Sequence, residues 1–228
     1  GVAFDRVLVY GLAGAAYGWI TSDPVARNLD GSPQYGLPMA AWVGLIIGFG
    51  LSILLMFKPH LAKIIGPIYA VAEGVFVGAL SKMYESLWDG IVVQAAGATL
   101  GVFFVMLFLY RTRIIKVTEK LRAVVTAATL GVMVFYGVAF VIRLFAGSDS
   151  VSFLSSPSLL GIGFSVLVAG IAAFNLLLDF DFVERGAKQG LDKNFEWYAA
   201  FGLLVTLVWL YLELLRLPYT GCNPRGLT

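Results

Sequence analysis

Cysteine and histidine each occur once in 228 residues, and charged side chains make up only 13% of the chain. Cys222 has no second thiol to pair with, which removes disulfide frameworks, Cys-based metal sites and CxxC redox chemistry together. A single histidine, His60, excludes a His-clustered metal centre. It also leaves Ser165, which has no GxSxG context, without a visible base. Gly161-Ile162-Gly163 begins like a dinucleotide fingerprint but lacks the third glycine and a preceding strand. No lysine falls in the middle of the last apolar run, so a retinal Schiff base has nowhere to form. Neither a GxGD motif nor paired broken helices are present, against an intramembrane hydrolase or a transporter. A net charge of +2 with scattered basic residues does not make a nucleic-acid surface. The expectation is a protein that is not an enzyme, carries no cofactor and binds no nucleic acid.

Hydrophobic residues, by contrast, make up 59% of the chain, against roughly 45–50% in soluble domains. They fall into seven runs near residues 7–20, 38–57, 64–80, 91–110, 123–141, 159–178 and 197–215, most of them long enough to cross about 30 Å of hydrocarbon. The first run is short enough for a signal-peptide core. Thr21-Ser22-Asp23-Pro24 follows it in place of a small-residue cleavage site, however, so it is read as a span. Short connections, apart from 21–37, 144–158 and 179–196, predict one domain over 1–228. The expected fold is an all-α integral membrane protein, a bundle of sequential antiparallel helices with no soluble part.

Eleven of the sixteen Lys and Arg residues fall on the side of the N-terminus: Arg6, Lys58, Lys63, Arg111, Arg113, Lys116, Lys120, Arg122, Arg185, Lys188 and Lys193. The asymmetry predicts a multi-pass protein with a cytoplasmic N-terminus and an outside C-terminus. Trp19, Trp42 and Trp88 at one side and Tyr110 and Trp197 at the other suit interfacial belts. Small residues recur at four-residue spacing: Gly14 and Gly18, Gly44 and Gly48, Gly74 and Gly78, Gly97 and Gly101, Ala127 and Gly131. Spread over five spans, they point to internal packing rather than to one dimerisation face.

Ionisable groups inside spans are costly and mark candidate sites. Glu73 lies mid-way along the third run and must be protonated or paired, as a functional acid or as structural glue between helices. Asp179 and Asp181 close the sixth run, whose helix is expected to continue to Glu184 or Arg185 and stop at Gly186. At spacing two the carboxylates point to different faces, Asp179 inward and Asp181 to a groove or headgroups, unless both simply mark the helix end. Glu196 suits a helix N-terminus, and Glu213 stands three residues before Arg216, spaced for an ion pair. Lys58 is placed to snorkel to the headgroups or to reach an acid of the sixth span.

Tyr69-Ala70-Val71-Ala72-Glu73-Gly74, Leu178-Asp179-Phe180-Asp181-Phe182-Val183-Glu184, Glu196-Trp197-Tyr198 and Leu210-Tyr211-Leu212-Glu213-Leu214-Leu215-Arg216 resemble the Bax inhibitor-1 family, specifically its bacterial YccA-like branch. The likeness covers nearly the whole chain and is most specific over 174–217. It implies seven helices, six around a central seventh, acting as a pH-sensitive calcium leak in the bacterial inner membrane. In the family an aspartate pair on helices six and seven shares a proton, aided by a basic residue on helix two. Asp179 matches the first aspartate and Lys58 stands near the basic position, but the second aspartate falls on Thr206, so the shared-proton dyad cannot form there. Asp179 would then couple to Glu73, Asp181 or Glu196. Calcium wants six to eight oxygens, so Asp179 with Thr206 makes a passing site for a permeating ion, not a resident one. The rival expectation is an interaction protein that modulates an AAA protease of the inner membrane through the basic loops 111–122 and 185–193, without conduction of its own.

Overall fold

The structure, a computed structural model, describes residues 25–27, 33–35, 39–146 and 159–221. The expected first span, with Gly14, Gly18 and Trp19, lies outside the described residues, as does Cys222. Strands β1 (Val25–Arg27) and β2 (Pro33–Tyr35) pair antiparallel, Val25 opposite Tyr35, inside the long 21–37 connection. Apart from this small hairpin, the regular structure of the described residues is helical, in line with the all-α expectation. Six helices follow: α1 (Met39–Phe57), α2 (Ala62–Leu87), α3 (Ile91–Arg111), α4 (Glu119–Ala146), α5 (Leu159–Lys188) and α6 (Lys193–Gly221). They answer to the second to seventh runs, and a 3₁₀ turn (Pro59–Leu61) joins α1 to α2.

Among the described residues five helical stretches are long and apolar enough to cross a membrane: Pro59–Leu87, Ile91–Arg111, Glu119–Ile142, Gly161–Lys188 and Lys193–Leu217. The apolar helix Ala41–Phe57 is shorter. Their outer faces are apolar as well. Along α4, Val124, Leu130, Met133, Val134, Val138 and Val141 are all more than half exposed. A continuous apolar face of that length is untenable in water and natural against lipid tails. The protein is therefore a multi-pass membrane protein.

The chain falls into two compact units, the first taking in the described residues up to Gln94 with Phe182–Val208, the second Ala95–Asp181 with the end of α6 from Trp209. In the first unit Leu55 of α1, Ile65, Tyr69 and Ala70 of α2, and Ala200, Phe201 and Leu204 of α6 form a buried core. The Tyr69 and Phe201 rings meet edge to face with centroids 4.8 Å apart. Glycine sets the approach of α1 to α2. A Cβ at Gly44 would stand 2.7 Å from the Ala72 carbonyl oxygen, and one at Gly48 2.8 Å from Glu73 Oε2. The internal packing expected of the small residues thus occurs here. At Gly97, Gly101 and Gly131 it does not, since no described atom comes within 4 Å of an added Cβ.

In the second unit α4 and α5 run antiparallel, with the Phe135 and Phe164 centroids 4.9 Å apart, and Phe103 of α3 packs on Phe180 at 5.6 Å. Within the first unit, Glu85 near the end of α2 accepts the Gly90 amide at 2.7 Å and the Val92 amide at 3.0 Å, so one carboxylate caps the start of α3.

The expected stop of α5 at Gly186 is corrected. The helix continues to Lys188 and ends in a Schellman motif around Gly190, whose φ is +63°. The Gly190 amide donates to Ala187 O at 3.2 Å and the Leu191 amide to Gly186 O at 3.2 Å. Gly186 serves a different purpose, since a Cβ there would lie 1.8 Å from the Phe195 ring. Gly190→Ala should cost about 1–2 kcal/mol, the penalty of a left-handed residue with a Cβ. Reversible unfolding in mixed detergent micelles measures it, and an unchanged midpoint would contradict the cap.

Candidate functional site

Asp179 and Asp181 lie in the last three turns of α5, where the helix has left its purely apolar stretch but still packs against neighbours. Asp181 Oδ2 accepts from Arg122 Nη2 at 2.7 Å, and the Asp181 side chain is only 15% exposed. The same guanidinium reaches Glu119 Oε1 at 3.1 Å, one turn earlier on α4. Oδ2 of Asp179 is buried too. Arg122 reaches across from the start of α4 and offsets the cost of desolvating Asp181, while Asp179 keeps one carboxyl oxygen buried.

The other sequence candidates fall in the first unit. Glu73 is half-buried on α2, with its carboxylate in the notch left by Gly48. Lys58 is exposed at the end of α1, its backbone amide bound to Leu54 O at 2.9 Å. The cation that meets Asp181 of α5 from another helix is Arg122. Thr206 is buried, and its hydroxyl donates back to Gly202 O at 3.3 Å on its own helix. Glu196 is exposed in the first turn of α6. Asp192 caps that helix by accepting the Phe195 amide at 3.2 Å. Among the described residues no three His, Cys, Asp or Glu side chains converge on a point where a metal ion could be held.

Two further polar contacts escaped the reading of the sequence. Asn175 Nδ2 of α5 donates to Thr129 Oγ1 of α4 at 2.7 Å. Tyr136 of α4 donates to Glu213 Oε1 at 2.9 Å and accepts from Arg216 Nη1 at 3.2 Å. Glu213 and Arg216, expected to pair along α6, are thus bridged by a hydroxyl from another helix. Glu213 is only 6% exposed, so it is enclosed by neighbouring side chains. The signal was available: Arg122, Thr129 and Tyr136 are spaced by seven residues, the repeat that returns to one face of a helix.

Among curated proteins nothing matches the chain. The sequence profile of the family described as Bax inhibitor 1 like matches residues 6–220. That stretch takes in the described helices, all but the last residue of α6, with Asp179 and Asp181 of α5 and Glu213 and Arg216 of α6. A likeness extending over almost the whole length of a chain built from apolar, multi-pass helices fixes its kinship: the chain belongs to the Bax inhibitor-1 family.

Proposed function

We propose that the chain is a pH-sensitive cation leak of the bacterial inner membrane, calcium being the foremost ion. In this reading seven helices span the membrane, six of them around the seventh, with the N-terminus in the cytoplasm. The observation that carries the reading is the end of α5, where Asp179, with a buried carboxyl oxygen, lies two residues from an Asp181 held by Arg122. A carboxylate in a low-dielectric setting beside an ion pair makes the local charge depend on one proton. With Asp179 ionised the mouth is more negative and attracts cations. With Asp179 protonated that charge is gone, and α5 and α6 pack closed. Calcium is cargo here, handed between a few oxygens rather than bound by a complete shell. Family membership supports the membrane setting, and the buried oxygen of Asp179 beside the Asp181–Arg122 pair supports Asp179 as the sensor.

Purified protein in liposomes with a calcium dye inside tests the reading. Wild type is expected to leak more at about pH 8 than at about pH 6. Asp179→Asn should flatten that difference, and Asp181→Asn, which frees Arg122, should alter it. Flux equal to empty liposomes at both pH values would overturn the leak. A partner-binding role through the exposed basic segment after α3 would then take its place.

A further inference from the structure

Three cross-helix polar contacts in the second unit share one geometry. Arg122, Thr129 and Tyr136 follow one another at seven-residue intervals on α4, a rise of about 10.5 Å each, so together they cover about 21 Å of a hydrocarbon layer of about 30 Å. Each meets a polar group on a neighbouring helix: Arg122 with Asp181, Thr129 with Asn175, Tyr136 with Glu213 and Arg216. Alongside this stripe, three residues further along the helix each time, runs the buried apolar stripe Val125, Val132 and Ala139. The inward side of α4 is therefore half apolar and half polar, while its remaining faces are lipid-exposed. Helices held together by packing alone have no need of a polar side chain every second turn, since each polar group moved into hydrocarbon costs free energy that its hydrogen bond only partly returns. Charged groups at both ends of such a stripe belong where water reaches. Thr129, Asn175 and Tyr136 are all only half-buried, unlike the sealed Val125 and Val132.

We propose that this face of α4 lines a hydrated track for small cations, with Thr129 and Asn175 as its midpoint, Arg122 with Asp181 at one end, and Tyr136 with Glu213 and Arg216 at the other. The inference rests on the leak reading for its ion and extends it by naming the path. Partly hydrated oxygens at three levels give a passing cation successive ligands without holding it. At one end the Arg122 guanidinium binds the carboxylate that would otherwise trap a divalent ion, and at the other the Tyr136 hydroxyl stands between Glu213 and Arg216. The track is tested in the full chain with Cys222→Ser as background and single cysteines at Thr129, Asn175 and, on the lipid face of α4, Val134. In proteoliposomes a charged, membrane-impermeant methanethiosulfonate should modify Thr129→Cys and Asn175→Cys at least about tenfold faster than Val134→Cys, because the reactive thiolate forms in water and not in hydrocarbon. Intact mass reads the modification. The same treatment should lower calcium flux through the first two variants only. Tyr136→Phe, which removes just one hydroxyl, should change the flux at both pH values while leaving its pH dependence intact. If the wild type conducts and neither inward cysteine reacts, the track is wrong and the ion passes elsewhere. If both react and the wild type conducts nothing, the hydrated track stands and the leak reading falls.

Discussion

Gly44→Leu is expected to drive α1 off α2 and destabilise the protein by about 3 kcal/mol, at the upper end of the usual cost of overpacking. The obstacle is backbone. A Cβ at position 44 would stand 2.7 Å from the Ala72 carbonyl oxygen, an atom fixed in the middle of a long helix, so no rotamer change relieves the clash. Leucine is a better helix former than glycine by about 0.8 kcal/mol, and the expected loss is what remains after that gain. One turn further on, the carboxylate of Glu73 fills the notch at Gly48, so separating the helices also withdraws Glu73 from its seat. Gly97→Ala supplies the contrast. No described atom beyond its own helix backbone lies within 4 Å of its added Cβ, and a gain of about 1 kcal/mol in helix propensity is expected. Reversible unfolding in mixed micelles measures both. A Gly44→Leu protein as stable as wild type would show that the two backbones do not approach as closely as described.

Arg216→Met should cost a similar amount, about 3 kcal/mol, for an electrostatic reason. Glu213 is 6% exposed and is bridged to Arg216 through the Tyr136 hydroxyl. Removing the cation leaves a buried carboxyl facing a phenol, and taking one partner from a buried pair is far more damaging than replacing both. The double variant Glu213→Gln with Arg216→Met should therefore recover most of the loss, since the amide still accepts from Tyr136 and carries no charge. If the double variant were less stable than Arg216→Met alone, the three groups would be acting separately and the bridge would carry little.

The helices were legible because apolar length marks a span with little ambiguity. The runs at 38–57 and 91–110 became Met39–Phe57 and Ile91–Arg111. Helix ends past the apolar stretch were less so. The run at 159–178 grew to Lys188, because Glu184, Arg185 and Lys188 are good helix formers and Glu184 pairs with Lys188 one turn on. Gly186 and Gly190 look alike in sequence, and only the Phe195 ring against one and the left-handed turn at the other separate their roles. Asp179 and Asp181 were identifiable as chemistry from their place in an apolar helix. The cation that holds Asp181 was not, since that guanidinium lies 59 positions away in the chain. The importance of Thr206 was inferred from the position of an absent acid, and its side chain proves to be engaged with its own helix.

The carboxylate of Glu85, seated over the first amides of α3, has a bearing on how the chain enters a bilayer. A bare helix N-terminus carries unsatisfied N–H groups that resist being dragged through hydrocarbon. With two of them satisfied by the preceding helix, α2, its turn and α3 form a hairpin whose tip brings part of its own hydration substitute. A pair so joined presents its turn, 88–90, and the charges beside it, Lys82, Glu85 and Asp89, to the bilayer as one unit rather than as two bare helix ends.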